Sequence, residues 1–317
     1  MRKERTVLSI AWLVLVSCTS ACQGQGALRP VSTSRAGVGY GVYVDAGYAY
    51  VTNNDGVIIF DVHEPGRPRK MGSITTGYTP NLVVRSGWAY IATEVGLVIA
   101  DVSNPARPQQ VGEVEVKGIA HRVCIDGSYA YIAGSKGLEI VDIRDPSAPV
   151  QVAHLDGGEA SGVDVLEGMV YLAVPGSGLD VIDARDPSAP RRIGTVSGTQ
   201  GAWDVHIHQE WAYVGCHGAG IRILSLSDKT SPQVIGRYLD DDGGEALGVW
   251  GDGAYLYVAD NYRIEVLDVK DPAHPYEIGE YGRVNGAHDL YVDGGFVYVA
   301  EGRKGLIVLE FEENQGR

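Results

Sequence analysis

Beyond its N-terminus this chain has no long amphipathic helical pattern, so an architecture built of helices is excluded at the outset. Phenylalanine is scarce, at 3 of 317 residues, while glycine is abundant at 43. That balance suits short antiparallel strands joined by tight turns, where glycine supplies the backbone freedom. Cationic charge is also short, with 26 Lys and Arg against 40 Asp and Glu and a formal net charge of −14. An acidic surface repels phosphate backbones and anionic headgroups, so nucleic acid and anionic lipid are poor partners. No Gly-x-Ser-x-Gly elbow is present, and Gly176-Ser177-Gly178 reads as a strand turn. The acidic loops Asp156-Gly157-Gly158-Glu159 and Asp240-Asp241-Asp242-Gly243-Gly244-Glu245 lack calcium-loop spacing and read as solvated loops.

What is present is repetition. Gly137-Leu138-Glu139-Ile140-Val141-Asp142-Ile143-Arg144-Asp145-Pro146 returns as Gly96–Pro105 and Gly178–Pro187, with worn copies starting at Gly56, Gly220, Arg263 and Gly305. Each copy follows a second strand with a tyrosine at a fixed place: Tyr50, Tyr90, Tyr131, Tyr171, Tyr213, Tyr257 and Tyr298. The gaps between them are 40, 41, 40, 42, 44 and 41 residues. That is the period of a four-stranded propeller blade, so the chain is predicted to be an all-β, seven-bladed propeller of antiparallel blades.

The Ile-Val-Asp phrase with its trailing Asp-Pro-x-x-Pro resembles the LVIVD repeat, a β-propeller repeat of bacterial and archaeal surface proteins. Tyr50-Val51-Thr52-Asn53 is similar to the related YVTN propellers. The resemblance spans residues from about 30 to 311, implies the propeller fold, and carries no assigned activity.

The N-terminus reads as an export signal, with basic Arg2, Lys3 and Arg5 before a short apolar run from Val7 to Val16. Leu15-Val16-Ser17-Cys18 resembles the bacterial lipobox, which implies that Cys18 is the lipidated first residue; Cys22 is a second candidate. The organisation expected is a lipoprotein signal peptide over 1–17, a tether over 18–29, the propeller over 30–311 and a polar tail over 312–317. Because the last repeat lacks its own fourth strand, residues near 30 to 36 are expected to supply it and close the ring, removing its open edges.

Antiparallel order puts the first-to-second and third-to-fourth turns at one end of the ring, with the second-to-third turns and inter-blade links at the other. The first end is monotonous, with Asp126-Gly127, Asp252-Gly253 and Gly294-Gly295 in hairpins and Asn104-Pro105, Asp145-Pro146, Asp186-Pro187 and Asp271-Pro272 in turns. Such turns, like the Asp of Ile-Val-Asp, need no ligand. The second end is varied. Ten residues before each tyrosine stand Tyr40, Pro80, His121, Ser161, Trp203, Leu247 and His288, followed by Gly41, Asn81, Arg122, Gly162, Asp204, Gly248 and Asp289. The turns there add Asn54, Asp55, Glu94, Lys136, His217, Asp260, Asn261, Glu301 and Arg303. Near-equal scaffold demands met by unlike chemistry point to a binding mouth.

For that mouth the candidate contacts are Tyr40, Asn81, Glu94, His121, Arg122, Trp203, Asp204, His217, Asp260, Asn261, His288, Asp289 and Arg303. His121, His217 and His288 with an aspartate invite a metal or acid–base reading, but the histidines stand in separate blades. No metal, cofactor or catalytic residue is therefore assigned. Cys124 and Cys216, two blades apart, are expected to be free thiols. The reading is an extracytoplasmic, lipid-anchored scaffold at the bacterial cell envelope, periplasmic or on the surface, that binds a protein, peptide or glycan. An enzyme with its site in the same mouth and a purely structural envelope protein are the rivals.

Overall fold

A computed structural model describes residues 26–239, 243–282 and 284–313. The expected signal peptide over 1–17, Cys18, Cys22 and the Asp240–Asp242 run lie outside them. Seven four-stranded antiparallel sheets follow one another round a ring. In the third blade the strands are Ala120–Asp126, Tyr129–Gly134, Gly137–Asp142 and Val150–Asp156, running in that order from the channel outward. The last blade takes its outer strand from the other end of the chain: Ala27–Ser34 pairs antiparallel with Gly305–Glu312, Leu28 opposite Phe311 and Ser34 opposite Leu306. This is the closure that the missing fourth strand requires. The closing strand begins at Ala27, ahead of the boundary at residue 30, because Ala27, Leu28 and Arg29 pair with Glu312, Phe311 and Glu310.

The repeated tyrosine holds neighbouring blades together. All seven are at most 5% exposed. Tyr131 packs with Val163, Val170 and Leu172 of the following blade, and Tyr50, Tyr90, Tyr171, Tyr213, Tyr257 and Tyr298 do the same in turn. Each interface thus buries an aromatic ring and both faces of the middle strands, which explains their nearly unbroken apolar runs. The hydroxyl of Tyr171 also donates to the carbonyl of Lys229 in the next blade, at 2.9 Å.

The monotonous end is explained by its own backbone. Asp61, Asp101, Asp142, Asp183 and Asp268 each accept the N–H two residues on, at 2.9–3.2 Å. Asn104, Asp145, Asp186, Asp228 and Asp271 repeat the device one turn later. Side-chain hydrogen bonds from His63 and Arg185, together with these backbone N–H groups, hold the Asp61 and Asp183 carboxyls down at about 2. The hairpins Ala46-Gly47, Ser86-Gly87, Glu167-Gly168 and Gly294-Gly295 take positive φ at both central residues, the twist that two-residue hairpins require.

Between third and fourth strands the register slips by one residue, at Ile99/Ala100 in the second blade. Gly112 sits at that bulge, where a β-carbon would stand 2.2 Å from the carbonyl oxygen of Pro146 in the next blade's turn. The equivalent Gly194 faces a blade with Asp228-Lys229 in place of Asp-Pro, and a β-carbon there would meet nothing within 4 Å. Gly112→Ala is therefore expected to cost about 1–3 kcal/mol by overpacking, and Gly194→Ala far less. Urea unfolding of the two variants beside the wild type measures the difference; equal losses would contradict this account of the blade interface.

Candidate functional site

The first strand of every blade has its outer edge paired and its inner edge open to the channel. Buried N–H groups on such an edge need acceptors. At four of the seven interfaces a side chain of one blade supplies one to the next. Asn81 Oδ1 accepts from the N–H of Val123 at 3.2 Å, and Asp164 Oδ2 from Ile207 at 2.7 Å. Asp204 Oδ2 accepts from Val249 at 3.0 Å, and Asp289 Oδ2 from Val42 at 3.2 Å. Glycines occupy the intervening places for a steric reason: a β-carbon on Gly162 would lie 2.8 Å from the Cα of Asp204, and one on Gly248 3.1 Å from that of Asp289.

Arg122 crosses the channel at this level. Its Nη2 lies 2.7 Å from Asp204 Oδ2 and 3.1 Å from Asp289 Oδ1, and Nη1 lies 3.3 Å from the same Asp289 oxygen. The side chains of Arg122, Asp204 and Asp289 are 18%, 3% and 10% exposed, so this is a shielded triad, not a surface ion pair. Burial raises the Asp289 carboxyl to about 6 against the opposing pull of Arg122, and burial raises Asp204 as well. Burial alone would lower the guanidinium, but the two aspartates outweigh it and hold it fully charged. Arg122, Asp204 and Asp289 therefore have a structural task already: they plug the channel.

Above the plug lies a cavity of about 250 Å³, and all seven residues ten places before the tyrosines line it. Tyr40 meets Tyr78 edge-on at 5.1 Å and His288 at 5.8 Å, while Trp203 is 38% exposed and lies 5.7 Å from the His217 ring. His121 Nδ1 stands 2.9 Å from the carbonyl oxygen of Ala160, so Nδ1 carries the proton and Nε2 is left as an acceptor. Burial lowers the basicity of His288, keeping it neutral at pH 7. Glu159 and Tyr78 belong to the wall as well.

Some of the candidates lie elsewhere. Asp260 and Asn261 line a separate groove with Tyr262 and Glu280, and Asn261 is bonded to Glu245. Glu94 and Arg303 are exposed on their turns outside the cavity wall, and His217 is outside it too, beside Trp203 and 3.5 Å from Glu245. These turns extend radially outward from the links, which is why sharing an end of the ring does not bring them to the axis. Among the described residues no three His, Cys, Asp or Glu side chains gather as metal ligands, and Cys124 and Cys216 are free.

Sequence reasoning overlooked a second tier. Below the plug is another cavity, of about 270 Å³, lined by the residues seven places before each tyrosine: Tyr43, Val83, Cys124, Asp164, His206, Trp250 and Tyr291. The signal was the two-residue alternation of a strand, which turns these side chains to the same face as Arg122 and Asp204.

Two predictions test the electrostatics. Arg122→Met leaves two buried carboxylates uncompensated and is expected to cost about 3–5 kcal/mol at pH 7.5, and less at pH 5, where Asp289 takes up a proton. Urea unfolding at both pH values measures this; an equal cost at both would refute the role given to the triad. Asp164, held by burial at about 6, is most favourable below its unfolded pKa and loses stability as pH rises through 6. Asp164→Asn removes that term, so the stability of the variant relative to wild type should rise between pH 4 and pH 7, whatever its absolute offset.

Comparison with known proteins bears on the whole ring. The LVIVD repeat family model matches residues 36–76, 76–116, 117–156, 157–197, 200–240, 243–282 and 286–310. No curated protein matches the chain. Among solved structures, the β-propeller domain of Myceliophteria thermophila Cps50 (Swd1) is similar with a TM-score of 0.73 at 13% identity, covering 89% of this chain and 98% of that one. The computationally designed Ika8 protein gives 0.65 at 7% identity, over 90% and 100%. At such identities the likeness concerns the fold.

Proposed function

The chain belongs to the LVIVD repeat family of β-propellers, and from that premise we propose that it is a binding scaffold that receives a protein, peptide or glycan at the varied mouth. One observation carries the reading: seven unlike residues at equivalent positions in the blades converge on a single cavity, whereas the repeated Asp and Asn side chains of the opposite end are hydrogen-bonded within their own turns. Tyr40, Tyr78 and Trp203 offer aromatic faces, and His121 and Glu159 add polar contacts around them. Aromatic side chains held on a rigid frame give large contact area at small entropic cost, the pattern of binding hot spots. Arg122 and the two aspartates form the floor and set its polarity.

The protein is further proposed to be exported and held at the bacterial envelope by lipid on Cys18. The basic N-terminus and the Leu15-Val16-Ser17-Cys18 run support this. Acyl chains would give stable attachment without a spanning helix.

Tyr40→Ala with Trp203→Ala is the informative pair, because both side chains reach the mouth while the plug is left intact. The double variant should fold as the wild type does and lose at least about tenfold in affinity for material captured from envelope extract. Capture at undiminished affinity would sink the mouth as the binding surface. Separately, Cys18→Ser should move the protein from the membrane fraction to the soluble fraction of cells; retention in the membrane would overturn the anchor.

A further inference from the structure

The chamber below Arg122 is walled off from the mouth and is not needed for the reading above. Its chemistry is different. His206 stacks on Trp250 at 4.2 Å, Trp250 meets Tyr291 at 4.3 Å, and Tyr291 meets Tyr43 at 4.6 Å. Half the wall is thus one continuous aromatic arc. At its end stands Asp164, whose Oδ2 is 3.9 Å from His206 Nδ1.

That pair is the informative contact. His206 Nε2 lies 3.2 Å from the carbonyl oxygen of Gly251, which can only accept, so Nε2 holds the ring proton. Burial holds the imidazole down at about 3, so the ring is neutral near pH 7 and Nδ1 is a bare acceptor. It faces another acceptor, the Asp164 carboxylate, at a separation too long for a hydrogen bond. Two acceptors turned toward one another call for a donor between them. A second acceptor is idle at the ceiling of the chamber: Asp204, 2% exposed, has Oδ1 buried with no hydrogen-bond partner.

Charge points the same way. Asp164, Asp204 and Asp289 line the chamber against the single cation Arg122. Two residues further along each first strand, at its end or in the turn that follows, come Asp45, Arg85, Asp126, Leu166, His208, Asp252 and Asp293, so this end of the ring carries four carboxylates and one guanidinium at the equivalent position. Such a rim draws cations inward.

We propose that this chamber binds a small protonated amine with an apolar body, its N–H groups bridging Asp164 and His206 and its body lying against Trp250 and Tyr291. The carboxylate supplies the charge, the imidazole a second acceptor, and the aromatic faces favour a cation beside them.

The experiment is calorimetric titration of the full chain with 2-phenylethylamine and with 2-phenylethanol, its uncharged counterpart, repeated on Asp164→Asn, Trp250→Leu and Trp203→Ala. The amine should bind saturably, with the alcohol and the Asp164→Asn variant each roughly tenfold weaker or more. Trp250→Leu should weaken binding without altering the preference for amine over alcohol, and keeps the test alive if Asp164→Asn misfolds. Trp203→Ala, at the mouth, should change nothing. Absence of saturable binding by the amine, equal binding of the alcohol, or a loss on Trp203→Ala matching that on Asp164→Asn would overturn the assignment. Undiminished partner capture by the Tyr40→Ala/Trp203→Ala double variant, with amine binding as expected, would overturn only the mouth reading.

Discussion

Each blade of the ring leaves its first strand with an edge that no strand pairs, and seven such edges face one channel. Four polar side chains along the axis answer to that constraint. The N–H groups of Val42, Val123, Ile207 and Val249 take their acceptors from Asp289, Asn81, Asp164 and Asp204 of the preceding blades. Carboxylates recruited for this purpose bring charge into a narrow channel, and uncompensated charge there is costly. Arg122 answers two of them at once, which is why a single guanidinium ends up spanning the ring.

Once placed, the plug divides the axis into two chambers of different character. The mouth mixes tyrosine, tryptophan and histidine with links of varied sequence. The lower chamber has a stacked aromatic wall that ends at Asp164, with Asp204 and Asp289 above it. Neither character belongs to the fold as such: the propeller fixes how many side chains point inward and at what height, and the residues at those heights decide the chemistry. The tyrosines of the second strands and the glycines of the outer bulges keep the blades at the spacing on which these heights depend.

Much of this was legible in the residues. Seven tyrosines at a nearly constant gap gave the number of blades, and the missing last strand foretold that the two ends of the chain would pair, because an unpaired edge is costly. The seven residues ten places before the tyrosines were rightly expected to share one rim. The turns were harder: Asp260, Asn261, Glu94 and Arg303 occupy the same end of the ring but stand away from the axis, a radial distance that sequence spacing does not encode. The tier of Asp164, His206 and Trp250 went unseen because those side chains resemble ordinary interior positions until the opposite wall is in view.

The chain's own order of residues determined the period, the strands, the turn chemistry and the closure, since each rests on local hydrogen bonding or on periodicity along one segment. Only the folded ring decided that Arg122 would meet Asp204 and Asp289, residues 82 and 167 positions away, and that His206 would face Asp164. Contacts across a channel depend on its width and on the angle between blades. Those follow from the packing of all seven interfaces together, and no single repeat contains them.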